Sequence, residues 1–176
     1  MRVLRHALSI LLLPGTVLVL VPAFLVWRSD GVSVGWGLPG ALAALPGALG
    51  LGLLAIGATL VVQTIALFVR FGRGTLAPWD PTARLVVDGP YRRVRNPMIG
   101  GILFILLGEA ILLGSPPLLV WFAVAAGVNA VYIPLVEEPG LVRRYGADYE
   151  RYRAAVPRWL PRVRPWSPPG RSTHDS

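Results

Sequence analysis

The sequence predicts an all-α polytopic membrane protein with about four transmembrane helices and a cytoplasmic amphipathic helix near its C-terminus. Three observations carry the prediction. The 176 residues are 54% hydrophobic and only 15% charged, a balance rare in a water-soluble domain of this length. The apolar residues gather in four long runs with almost no charge inside them. The charges collect instead between and after those runs, and all seventeen cations are arginine.

Taken in order, a short basic start with Arg2 and Arg5 precedes an uncharged run over residues 7–27. Its helical length is about 30 Å, one bilayer core. No small-x-small cleavage pattern follows it, so an uncleaved span is expected over a signal peptide, with a kink at Pro14. Residues 28–46 are rich in glycine and proline and read as a loop at the outer surface. The second span is expected over residues 47–69, closed by Arg70. Ala44, Ala48 and Gly52 recur there every four residues. That stripe suits close helix approach in lipid, or reflects only an Ala/Gly-rich composition.

Residues 71–95 form a polar connection, in which Pro78, Pro81 and Asp88-Gly89-Pro90 predict ordered turns over a continuous helix. The third span is expected over residues 97–113, with Pro97 in its first turn. Gly114-Ser115-Pro116-Pro117 reads as a tight turn, and the fourth span as residues 118–136, bent by Pro134 before Glu137-Glu138. Beyond it, Leu141, Tyr145, Tyr149 and Tyr152 fall at helical spacing, which predicts an amphipathic helix over residues 141–155 on the membrane surface. Prolines from Pro157 onward end it, and residues 170–176 are expected to be disordered. The resulting division is an anchor over residues 1–70, a functional region over 71–166 and a tail over 167–176.

Arginine counts set the orientation. The start carries two, the middle connection six with Arg70, and the tail from Pro139 eight, against one in the first outer loop and none in the last turn. Both termini and the polar connection are therefore expected in the cytoplasm, and the protein in a bacterial cytoplasmic membrane.

The net charge of +8 could serve nucleic acid, but long uncharged runs separate the arginines, so no nucleic-acid partner is expected. Without cysteine, and with histidine only at His6 and His174, thiolate chemistry, acyl-transfer triads and histidine metal sites are excluded. No metal site is expected. No Gly-x-Gly-x-x-Gly follows a strand pattern. Arginine, tyrosine, asparagine and a carboxylate pair remain, a set that suits binding and positioning a charged cofactor. Glu137 and Glu138 stand where an apolar helix meets water, and their side chains point about 100° apart. They are either a solvated helix end or a pair with one member turned inward. Glu109, near the outer end of the third run, is expected to snorkel or pair with Arg28.

Three ordered motifs carry a resemblance. They are Gly89-Pro90-Tyr91-Arg92-x-Val94-Arg95-Asn96-Pro97-x-x-x-Gly101, then Glu137-Glu138-x-x-Leu141-x-x-x-Tyr145-Gly146-x-x-Tyr149-x-x-Tyr152, then Val156-Pro157-Arg158-x-x-Pro161. Together they resemble the isoprenylcysteine carboxyl methyltransferase and phospholipid methyltransferase family of integral membrane enzymes. The resemblance covers roughly residues 78–166 and is specific for the family, less so for the substrate.

It implies a helical membrane enzyme that binds S-adenosylmethionine at its cytoplasmic face and methylates a lipid or other lipophilic small molecule. By the same resemblance Leu85, Val86 and Tyr91 would line the approach to the cofactor. Arg95, Pro97 and Gly101 would form its floor, Asn96, Met98 and Ile99 would also belong to the cofactor-binding set, and Glu137 and Glu138 would take its polar groups. Arg95 and Asn96 would stand at the catalytic positions. Two departures matter: Asn96 replaces the usual histidine and Ile99 the usual tyrosine. Asparagine can donate and accept hydrogen bonds but is no general base near neutral pH. Residues 131–134 also lack the arginine that prenylcysteine enzymes carry one turn before the Glu pair. Two alternatives stay open: a membrane reductase of the steroid-reductase type using NADPH, and a catalytically degenerate relative.

Overall fold

A computed structural model describes residues 15–29, 32–71 and 85–167, and among these every regular element is helical. Pro14, Asp30, the connection with Pro78 and Pro81, and the last residues lie outside the described residues. A π-helical turn over Thr16–Leu20 leads into α1, Val21–Arg28. The long helix α2, Ala44–Phe71, follows two short 3-10 turns. After the segment 85–96 come α3, Pro97–Leu113, and α4, Pro116–Tyr132. A π-helical turn over Ile133–Glu137 joins α4 to α5, Glu138–Tyr145, and α6, Ala147–Ala155, ends the series.

Two stretches are long and apolar enough to cross a membrane, Gly40–Arg70 and Pro116–Tyr145, and Thr16–Arg28 and Pro97–Leu113 are shorter apolar helices. Their large apolar side chains mostly face outward, among them Leu49, Ile56 and Val62 on α2 and Val120, Val124 and Val128 on α4. That outward apolar surface is what lipid, and not water, would cover.

With apolar residues available on every side, packing is decided by glycine. α2 and α3 run antiparallel, and Gly57 meets Gly101 while Gly50 meets Gly108. A methyl on Gly57 would stand 2.6 Å from the Gly101 carbonyl oxygen, and one on Gly108 2.9 Å from that of Gly50. Two glycine pairs, one helical double turn apart on each helix, thus let the backbones touch. The expected stripe of Ala44, Ala48 and Gly52 lies elsewhere: all three are exposed, and a methyl on Gly52 would meet nothing. The every-four pattern points away from the partner helix, and the seven-residue pattern makes the seam.

The turn expected over Gly114-Ser115-Pro116-Pro117 is confined to Gly114 and Ser115, and Pro116 and Pro117 already belong to α4. Gly114 adopts the left-handed conformation (φ 58°) that ends α3, and Pro116 opens α4. A Cβ on Gly114 would collide with the Ser33 carbonyl, so the loop that carries Ser33 is seated directly on this turn. Trp36 reinforces it by donating its indole N–H to the Ile111 carbonyl (2.8 Å). Trp121 of α4 donates to the Val17 carbonyl (3.1 Å) and ties the first helical segment to the bundle. Glu109 makes no ion pair with Arg28; one of its carboxylate oxygens is buried without a partner.

Pro134 widens the helix into a π turn, and the chain runs on helically to Tyr145. With no N–H to donate and a ring that crowds the carbonyl one turn back, proline is accommodated by the wider turn. The single surface helix expected over residues 141–155 is instead two, broken at Gly146 (φ 55°). Leu141 and Tyr145 from the first and Tyr149 and Tyr152 from the second still gather on one side. They pack with Val87, Val156 and Trp166 into a small core of their own.

Candidate functional site

The site lies at the end of the bundle where α2 ends, α3 begins and the π turn delivers Glu137 and Glu138. The segment 85–96 closes this end. Gly89 sits over Leu67, and the ring of Tyr91 meets Phe68 edge-on at 6.1 Å, which fixes the segment to the last turns of α2. A 3-10 turn over Gly89–Arg92 then brings the chain round to Pro97.

From the other side the chain beyond α6 lies along this segment. The backbone N–H of Arg95 donates to the Pro157 carbonyl (2.9 Å), that of Arg162 to the Arg93 carbonyl (3.0 Å), and that of Trp166 to the Arg92 carbonyl (2.8 Å). Arg92 returns a bond from Nε to the Trp166 carbonyl (2.8 Å) and also donates to the Ser167 hydroxyl. The Tyr152 hydroxyl donates to the Tyr91 carbonyl (2.7 Å). Residues 157–167 therefore form a strap whose course is fixed by the segment that opens α3.

At the centre is Glu138, only 4% exposed. Its Oε1 accepts from Arg95 Nη1 and from Arg158 Nε, both at 2.7 Å, and its Oε2 accepts from Arg158 Nη2 at 3.0 Å. Burial opposes ionisation of this carboxyl, but the hydrogen bond from Arg158 and the charges of Arg95, Arg158 and Arg153 outweigh it and hold its pKa below the ordinary value. Its bond in turn raises the pKa of Arg158. Glu137 is placed differently. Burial and the neighbouring charge of Glu138 push its pKa up, and its own charge acts on the buried Tyr91 hydroxyl. Burial also raises Tyr149, which stands beside Arg95. Arg95 keeps its Nε buried with no partner.

Of the residues singled out in the sequence, the structure thus brings together Arg95 and Glu138 in contact, with Tyr91 and Glu137 alongside. Asn96 caps α3 through its backbone, its carbonyl accepting from the Gly100 N–H (2.9 Å), and its side chain makes no capping bond. Pro97 is buried in the first turn, and Met98 and Ile99 are half-buried beside it. Val86 is half-buried, whereas Leu85 joins the aromatic core formed with Tyr149 and Tyr152. Gly101 is turned to Gly57, Leu60 and Val61 of α2, so its lack of a side chain serves the helix seam.

Sequence reasoning did not single out Arg158, Arg92 or the tyrosine pair as members of this assembly. Arg158 stood in a quoted motif, but among eight tail arginines no pattern distinguishes the one that turns inward.

A bundle with outward apolar faces and a buried, arginine-bound carboxylate at one end defines a helical membrane protein with a polar site at its rim. The phospholipid methyltransferase family matches residues 45–148, which take in α2 through α5 and both Arg95 and Glu138. The chain belongs to that family, whose members are membrane methyltransferases. No match was found among curated proteins or among solved structures.

Proposed function

We propose that the protein transfers a methyl group from S-adenosylmethionine to a lipophilic acceptor that reaches the site from the bilayer. The observation that carries this reading is the contact of Arg95 with Glu138 across 43 residues of sequence, inside the region matched by a methyltransferase family. In the same reading the chain crosses the membrane four times, with the site and both termini on the cytoplasmic side, which the arginine distribution supports.

The residues present fit such a cofactor. Two guanidiniums against the one carboxylate of Glu138 leave a positive charge in excess, and the orphaned Nε of Arg95 is a donor without an acceptor. Both features suit the carboxylate of an amino-acid moiety. Glu137, not engaged by Arg95 or Arg158, is the group to accept from the ammonium or ribose hydroxyls. When bound, the cofactor supplies a methyl on a sulfonium: the acceptor's lone pair attacks the carbon while the carbon–sulfur bond breaks and its electrons stay on sulfur. Alignment and exclusion of water are then the tasks left to the protein. Asn96 can orient a polar group and takes no proton, which is sufficient for an acceptor that presents a free lone pair.

Calorimetric titration of the purified protein with S-adenosylhomocysteine tests the reading. Binding is expected, weakened about tenfold or more by Glu137→Gln, which corresponds to about 1.4 kcal/mol, and unchanged by Glu109→Gln. Absence of binding, or equal loss in the two variants, would overturn it. Displacement of the ligand by NADPH would favour the reductase reading in its place.

A further inference from the structure

We propose that residues 159–163 of the strap are a membrane-inserting loop that docks on the headgroup layer of an anionic phospholipid leaflet. The strap is pinned by backbone bonds at Pro157, Arg162 and Trp166, yet its apolar side chains divide sharply. Trp166 turns inward, its ring 5.6 Å from that of Tyr152. Leu160 and Val163 turn outward and are 80% and 91% exposed, with Trp159 at 37%. A short loop held in an ordered course does not leave such side chains in water without cost, since burying them would stabilise the protein.

Its position names the covering surface. Arg93 and Arg95, which hold the strap, lie just before Pro97, where the apolar helix α3 begins. At the same end Val69 of α2 and Leu135 of the π turn are exposed, so both long apolar stretches keep outward apolar side chains up to this end of the bundle. Charge names the kind of lipid. Residues 157–167 carry no acid; Arg158 is taken up by Glu138, but Arg164 is exposed, Arg162 is half-exposed, and exposed Arg93 stands alongside. Aromatic and aliphatic side chains flanked by arginines match an interface whose inner part is apolar and whose outer part is negative. Pro157, Pro161 and Pro165 fix φ at three points of the strap, so less conformational freedom remains to be lost on insertion. The inference does not depend on the cofactor reading.

Because the chain has no cysteine, Leu160→Cys and Val163→Cys each accept a single fluorescent label. The full-length protein would be placed in nanodiscs of phosphatidylcholine with or without phosphatidylglycerol, containing lipids spin-labelled near the top of the acyl chain. Ala147→Cys, exposed at the start of α6 and just past the long apolar stretch, serves as the reference. Labels at 160 and 163 should be quenched about threefold more than the reference, and more strongly in the anionic discs. Arg93→Gln with Arg164→Gln should abolish the difference between the discs. Quenching at 160 and 163 no greater than at 147, or equal in both discs with the arginines intact, would overturn the proposal. Shielding of both labels by an added protein without lipid quenching would overturn it equally.

Discussion

At Glu138 one carboxylate oxygen is shared by two guanidiniums, and the contact joins the π turn, the segment before α3 and the strap. Removing the carboxylate leaves two buried or half-buried cations facing each other. Glu138→Ala is therefore expected to cost about 3 kcal/mol or more, read as a lower thermal midpoint in detergent. The two glutamates should also give opposite pH responses. The depressed pKa of Glu138 means its contribution is complete above the ordinary carboxyl value of 4.5 and is lost as pH falls through the lower folded value. The raised pKa of Glu137 means the folded state holds that proton more tightly. Acidification from neutrality toward 4.5 should first stabilise the fold through Glu137. A thermal-midpoint profile should then rise on mild acidification and fall below 4.5, and Glu137→Gln should lessen the rise while keeping the fall.

At the scale of elements, the glycine seam decides how α2 and α3 meet. Gly57→Val would drive a side chain into the Gly101 backbone, at a cost of about 1–3 kcal/mol, whereas Gly52→Ala should cost nothing and stabilise slightly. The same thermal measurement on both variants separates a seam from mere small-residue composition. This seam also shows what sequence can and cannot supply. Helix boundaries near Pro97, Gly114 and Pro116 were legible because proline and glycine act through local sterics. Which glycines face a partner was not, because an apolar run in lipid has no polar side to mark the other face. The tail illustrates the converse. Its aromatic spacing correctly grouped Leu141, Tyr145, Tyr149 and Tyr152, but periodicity identifies a face without naming what covers it. Here the cover is Val87, Val156 and Trp166, contributed by distant segments.

Across the whole molecule, residues that lie far apart in the chain meet at one end of the bundle. Arg95 precedes α3, Glu138 follows the π turn and Arg158 follows α6; the first two were legible from ordered motifs, and the third needed the fold. The rest of the chain positions that end: the glycine seam aligns α2 with α3, Trp36 ties the loop before α2 to the end of α3, and the strap closes the segment before α3. An arrangement with one charged cluster and no thiol or described histidine favours alignment of a reactive cofactor over proton chemistry. Incubating membranes that contain the protein with methyl-labelled S-adenosylmethionine, and weighing the extracted lipids, tests this most directly. The account predicts a lipid-soluble product heavier by one labelled methyl group, formed more slowly with Glu137→Gln. Label that never enters the lipid fraction, while the folded protein binds the cofactor, would contradict it.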